Sequence, residues 1–331
     1  MSELPKNNQQ AGDIFLPPPN PLDPVIDNGG TGGTVQLGIN ETANLIATSS
    51  ITGATVGLRY IPTGGEVLFV GIPWEGWGVA NADPGSGTFS AFANVSEGGA
   101  TNMTVQAGTG ITNPVGQSQP ESEGSAFRSI IQDNGGRVEV THDFFPSVSP
   151  NLYQIFVTIT NIGATPIDDL RYRRVMDWDV PPTIFNEWVE IHVNLAPNLF
   201  QASNQGFNSA DPLAPLSGIS TPVDPDGLIN PGDPDYFFGP LDQGAAFDFR
   251  FGQLLPGQSR FFQLFYGAAA TRDEALTALN LVGAQAWSIA YPNVVVDGEN
   301  MPGVNGPNVF IFGYLQPPPP SLAPNFFSSA K

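Results

Sequence analysis

The amino-acid sequence predicts an all-β chain: a large antiparallel β-sandwich, or two stacked sandwiches, with one short α-helix and proline-rich tails. Three observations predict it. Glycine (38) and proline (33) make up about a fifth of the 331 residues, against ~12% in ordinary domains, and both break helices. The 23 phenylalanines supply apolar mass that a disordered chain lacks. Between the ends, apolar and polar residues alternate in run after run, which is the period of a half-buried strand.

Residues 1–34 read as a tail. The segment "FLPPPNPLDP" is stiff and short of backbone donors, and "DNGGTGGT" is a flexible hinge. The body spans 35–316, and a division into two sandwiches would fall near "GQSQPESEGS" at 116–125. Strands are expected at "TVQLGI", "ATVGLRYI", "EVLFVGI", "GTFSAFANV", "TNMTVQAG", "AFRSIIQ", "RVEVTHDFF", "LYQIFVTITN", "DLRYRRVMDWDV", "EWVEIHV", "AAFDFRFG", "SRFFQLFYGA", "QAWSIAY" and "NVFIFGYL". One hairpin joins 137–145 to 152–161 through "PSVSP". Another joins 245–252 to 259–267 through "LLPGQ", where Pro256-Gly257 suits a type II turn. The helix is "TRDEALTALNLVGA": Thr271 and Glu274 stand at capping-box spacing, Ala275, Leu279 and Val282 share a side, and Gly283 ends it. Residues 203–235 lack periodicity, and so long a loop is often functional. Residues 317–331 form a second proline-rich tail. Ile14, Phe15, Leu16, Phe326 and Phe327 make both tails more apolar than frayed ends, as expected of segments that dock on the body or on a neighbouring copy.

Charge and composition exclude several functions. The 11 basic residues face 31 acidic ones, a formal net charge of -20, so nucleic acid and anionic membrane surfaces are not expected partners. With no cysteine there is no disulfide, thiolate metal site or thiol nucleophile. No run approaches ~18 consecutive apolar residues, so no membrane-spanning helix is expected. The opening "MSELPKNNQQ" shows no basic segment followed by an apolar run, the mark of a secretory signal. The two histidines, His142 and His192, lie in strand-like segments, and neither a Gly-x-Ser-x-Gly elbow nor an H-E-x-x-H helix is present.

The segment "RRVMDWDVPPT" at 173–183 carries the sharpest candidates. In an extended chain Asp177 and Asp179 point to one face, roughly 7 Å apart, with Arg171 and Arg173, while Met176, Trp178 and Val180 point to the other. Such a pair is a solvated sheet face with cross-strand partners for its arginines, half of a cation site, or a catalytic pair. The general rule favours the first, and nothing in the sequence marks either carboxyl as desolvated. In the long loop, Asp224 with Asp226 and Asp233 with Asp235 have spacings that suit calcium or plain turn chemistry. In "GIPWEGWGVA", Trp74 and Trp77 flank Glu75. Exposed, such rings stack on sugars; buried at a strand bend, they are core.

The segments "TNIGATPIDDLRYRRVMDWDVPPT", "LLPGQSRFFQLFYGAAATRDEALTALNLVGAQAWSIA" and "NVFIFGY" resemble bacterial exoprotein β-sandwich modules of the kind found in PEP-CTERM-type secreted proteins. The resemblance covers roughly the latter half, with "GIPWEGWGVA" added. It implies a fold and no chemistry, and "NFFSSAK" is not the sorting tail those proteins carry. The expected function is therefore a non-enzymatic structural subunit of an extracellular or cell-surface assembly (matrix, sheath, filament or appendage). It would associate with copies of itself by strand addition from the tails, with calcium stiffening it. A virion or tail protein is a variant of this reading. A carbohydrate-binding module using Trp74 and Trp77, or a glycan-active protein using Glu75, Asp177 or Asp179, is the alternative.

Overall fold

The computed structural model describes residues 23–29, 32–110 and 119–317. The assembly candidates Ile14, Phe15, Leu16, Phe326 and Phe327 lie outside the described residues. The fold is an antiparallel β-sandwich, as its sequence predicts. A ten-stranded sheet runs Met103–Gly110, Phe127–Asp133, Val138–Pro146, Leu152–Asn161, Ser259–Ala269, Val309–Leu315, Ala286–Val296, Glu187–His192 and Tyr236–Leu241, with Glu299–Pro302 paired onto Ala286–Val296. A seven-stranded sheet runs Leu228–Ile229, Leu199–Ser203, Gly244–Leu254, Ile167–Asp177, Glu75–Asn81, Phe89–Asn94 and Gly99–Thr101. A smaller four-stranded sheet, Val25–Asp27, Val35–Gly38, Leu58–Tyr60 and Gly65–Glu66, closes one side. Residues 25–27 thus belong to a sheet although their surroundings read as tail, and Ile26 is buried in the main core.

Alternation explains the core. Tyr153, Ile155, Val157 and Ile159 are all buried, while Gln154, Thr158 and Thr160 are not. Aromatic rings from the two large sheets meet between them: Phe249 lies 4.0 Å from Tyr314, and Phe247 lies 4.9 Å from Phe312. One apolar cluster extends from Ile26 to Tyr314. The outer face of the ten-stranded sheet is also covered, because Phe265, Ile289 and Ile311 pack under the helix Arg272–Val282 through Ala275, Ala278 and Leu279. That helix begins and ends where the sequence says. Thr271 caps the Glu274 N–H, and Gly283 takes the left-handed conformation at φ 72. Among the described residues no helix is long and apolar enough to cross a membrane.

Two local expectations are corrected. The turn "LLPGQ" does not close a hairpin. Gly244–Leu254 pairs with Ile167–Asp177 and Leu199–Ser203, whereas Ser259–Ala269 pairs with Leu152–Asn161 and Val309–Leu315. The turn therefore crosses between the sheets, and Phe249 and Phe251 of one strand stack on Phe262 of the other across the core. The segment "EVLFVGI" is not a strand past Glu66. The buried Glu66 carboxylate accepts the backbone N–H groups of Val67, Leu68 and Phe69 at 3.1, 3.1 and 3.2 Å. Val67 N–H still reaches the Leu58 carbonyl, but the Leu68 and Phe69 donors are lost to the ladder, and the strand ends there.

The strand Ile167–Asp177 is central, and from Tyr172 onward it is buried on both faces. Its charges are therefore matched. Arg174 points into the core, where its guanidinium meets Glu75 at 2.5 Å and Tyr266 Oη at 3.0 Å, and Tyr266 in turn donates to Glu75 Oε1. Arg173 points outward and pairs with Asp248, its cross-strand neighbour, at 2.6 Å. The same guanidinium donates to the carbonyls of Ser209 and Ala214 and so straps the long loop onto the sheet. Gly76 and Gly78 admit that loop, since a side chain on either would strike Ala210.

Arg174→Met should cost about 3–5 kcal/mol in urea unfolding, because it leaves Glu75 buried without its counter-charge. The double variant with Glu75→Gln should recover part of that loss. Equal costs for the single and double variants would contradict the pairing.

Candidate functional site

Past Arg173 and Val175, the outer face of the central strand ends in Asp177 and then Asp179. Both are buried, at 2% and 1% exposure, so the expectation of a solvated carboxylate face is corrected. The 67–74 loop runs alongside: Asp177 N–H donates to the Trp74 carbonyl, and Asp179 N–H to that of Val67. Asp242 arrives from the turn between Tyr236–Leu241 and Gly244–Leu254. Its neighbour Gln243 is fixed on several sides, donating to the carbonyls of Glu187 and Phe238 and accepting from Tyr236 Oη. Among the described residues, Asp177, Asp179 and Asp242 bring carboxylate oxygens within 4.8 Å of one another.

These carboxylates differ from Asp169, which Arg171 and Arg250 answer, because no cation answers them. Both oxygens of Asp177, Oδ1 of Asp179 and Oε2 of Glu187 are buried and hydrogen-bonded to nothing. The other Glu187 oxygen accepts the Gln243 N–H. Burial first, then the charges of Asp179 and Asp242, pushes Asp177 up to about 9. Burial, then Asp242, raises Asp179 to about 7, partly opposed by the Phe185 backbone N–H. Burial, then the neighbouring aspartates, raises Glu187 to about 10. Clustered carboxyls whose proton affinity is raised together can hold a hard cation through ionised oxygens, or keep a proton at neutral pH for acid–base work.

The rim is built from two residues in the left-handed region. Gly71 sits at φ 68 and Phe185 at φ 67. For a bulky side chain that conformation costs on the order of 1 kcal/mol. Gly206 approaches from the long loop, and a Cβ there would lie 2.6 Å from Asp177 Oδ1.

The remaining candidates lie elsewhere. Asp224, Asp226, Asp233 and Asp235 line a separate cavity of about 390 Å³. There Asp224 accepts from Gly227 N–H, Asp226 from Leu228 N–H and Asp233 from Asn230 N–H, while Asp235 meets His192 at 2.8 Å. Trp77 cannot be a sugar platform, which corrects that expectation. It is fully buried, donates to the Thr42 carbonyl, and stacks near His142 and Tyr172. Trp74 is half-buried and donates to the Asn208 carbonyl. Glu75 serves Arg174.

Asp242, Glu187, Gly71 and Phe185 were not anticipated from the sequence. Only Glu187 left a signal there. It shares parity with Val189 and Ile191, which places a carboxylate on an apolar strand face.

No protein-family model matches the chain, and no curated protein does. Among solved structures it is similar to the X-ray structure of a galactose mutarotase related enzyme from Lactobacillus acidophilus. The identity is 10%, the match covers 88% of this chain and 85% of that one, and the TM-score is 0.29. At that score the likeness defines neither this chain's fold nor its site. The expectation of a non-enzyme is corrected on the site itself: it rested on an apparent lack of desolvated carboxyls, and Asp177 and Glu187 are such groups.

In chelator, stability should fall as pH rises. The folded state holds protons that the unfolded state releases near 3.8 to 4.5, so the loss runs from about pH 4 to about pH 9. Asp177→Asn should flatten this slope in thermal melts and stabilise the metal-free protein at pH 8 by on the order of 2 kcal/mol. A parent whose stability rises with pH over that window would contradict this account.

Proposed function

We propose that the chain is a calcium-dependent, glycan-active β-sandwich protein whose working centre is the carboxylate cluster of Asp177, Asp179 and Asp242. The observation that carries this reading is Asp177, a buried side chain with both oxygens unpartnered, aimed at two further carboxylates. Such a group costs several kcal/mol unless an opposite charge meets it. The arginines of the central strand and its neighbour are committed elsewhere: Arg173 to Asp248, Arg174 to Glu75, Arg171 and Arg250 to Asp169. A proton relieves that cost with the carboxyl neutral, and a divalent cation relieves it with the cluster ionised.

Calcium suits the set better than magnesium. Its ligands come from a strand end and a turn, an irregular arrangement that calcium tolerates and an octahedral magnesium ion does not. Calcium takes about six to eight oxygens, so three carboxylates leave coordination positions for water or for the hydroxyls of a ligand. Glycans are the ligand class rich in paired hydroxyls. The resemblance of the latter half to exoprotein modules fits an extracellular setting, where calcium modules bind at on the order of 0.1–1 mM. Assembly through the tails is no part of this reading.

Calcium titrated into chelator-treated protein should bind with a dissociation constant in that range, measured by calorimetry. At about 100-fold excess over that constant it should stabilise the fold by ~2.7 kcal/mol. Asp177→Asn with Asp179→Asn should abolish both effects while the fold persists. A parent whose melting is the same in chelator and in about 10 mM calcium would overturn the proposal.

A further inference from the structure

The geometry points to Phe185 as a sugar-ring platform beside the carboxylate cluster: its exposed ring takes the apolar face of a pyranose whose vicinal hydroxyls reach the cation held by Asp177, Asp179 and Asp242. The inference rests on the cation reading above and adds the residue that selects the ligand.

Three observations carry it. First, ring and carboxylate close over the same glycine. A Cβ on Gly71 would overlap Asp179 Oδ2 and would come within 2.8 Å of Phe185 Cε1. Second, Phe185 is held in the left-handed backbone region, at φ 67, where a bulky side chain is a genuine outlier. The side chain is 42% exposed, and it is not among the residues that make up the hydrophobic core clusters. Third, the chain between them is short and fixed, since Asp179 N–H donates to the Val67 carbonyl and the turn from Val180 to Thr183 is closed by a backbone hydrogen bond. The adjoining loop adds two further exposed apolar side chains, Phe69 and Ile72, at 40% and 59%.

The chemistry matches one ligand class. An aromatic face stacks on the C–H face of a sugar, and a hard cation accepts two adjacent hydroxyl oxygens. A ring and a cation placed side by side read both features of one pyranose at once. An aliphatic ligand lacks the second, and a simple anion lacks the first.

The test uses the full chain on an array of terminal mannose, galactose, fucose and glucose, in millimolar calcium and in chelator, with calcium binding measured separately by calorimetry. The parent should bind at least one of these sugars in calcium and none in chelator. Phe185→Gly, which the left-handed backbone accepts without strain, should still fold and bind calcium as the parent does. Its sugar affinity should fall at least tenfold, and Phe185→Tyr should restore it. Sugar binding unchanged in Phe185→Gly overturns the platform. So does a calcium-loaded parent that binds none of the four sugars, which leaves the cation reading standing. A parent that binds no calcium overturns the cation reading itself, and with it the platform.

Discussion

The guanidinium of Arg174, sealed between two β-sheets, is the constraint around which the rest of this structure is arranged. A charge in that position is tolerable only beside an opposite charge, even though the Arg174 Nη1 is left without a partner. Glu75 supplies the opposite charge from the adjacent strand, and Tyr266 supplies an oxygen from the facing sheet. The Ala43 carbonyl supplies another, from the smaller sheet's side. The polar centre of the core therefore specifies how the sheets sit on one another, which apolar residues alone do less sharply. His142 and Tyr172 extend it, packed against Trp77, and burial with the nearby Arg174 charge holds His142 well below its ordinary pKa.

The same strand carries its charges through to the other face, and there the pattern changes along its length. Arg173 is answered by Asp248 and by two loop carbonyls, so the long irregular segment after Ser203 becomes a fixed cover. Four residues on, Asp177 lies under the same cover with Gly206 against it and no donor at all. Every other charge on this strand past Leu170 is balanced within the protein. The carboxylates at its end meet no counter-charge among the described residues, and this contrast within one strand locates the site.

The two sides of the site owe their shape to local hydrogen bonding. Glu66 gathers the backbone donors of Val67 to Phe69 and so turns a strand-like sequence into a loop. That loop then carries Gly71 to the Asp179 carboxylate. On the opposite side the fully buried Gln243 fixes the turn that presents Asp242. Neither device has a periodic signature, and both depend on a polar side chain whose partners lie far along the chain.

Backbone period by itself determined most of the strands, the sidedness of "RRVMDWD" and, with its capping residues, the helix, because side-chain direction follows from that period and needs no distant contact. It also determined that Arg173 would require a cross-strand carboxylate. Only the tertiary structure decided that "LLPGQ" crosses between sheets, that the face bearing Asp177 is covered rather than wet, and that Asp242 and Glu187 join it. The physical reason is that burial and charge balance are sums over neighbours brought together by the fold. Asp242 lies in a turn with no pattern, and Phe185 in a conformation no propensity predicts, so their meeting beside Asp179 exists only once both sheets are in place.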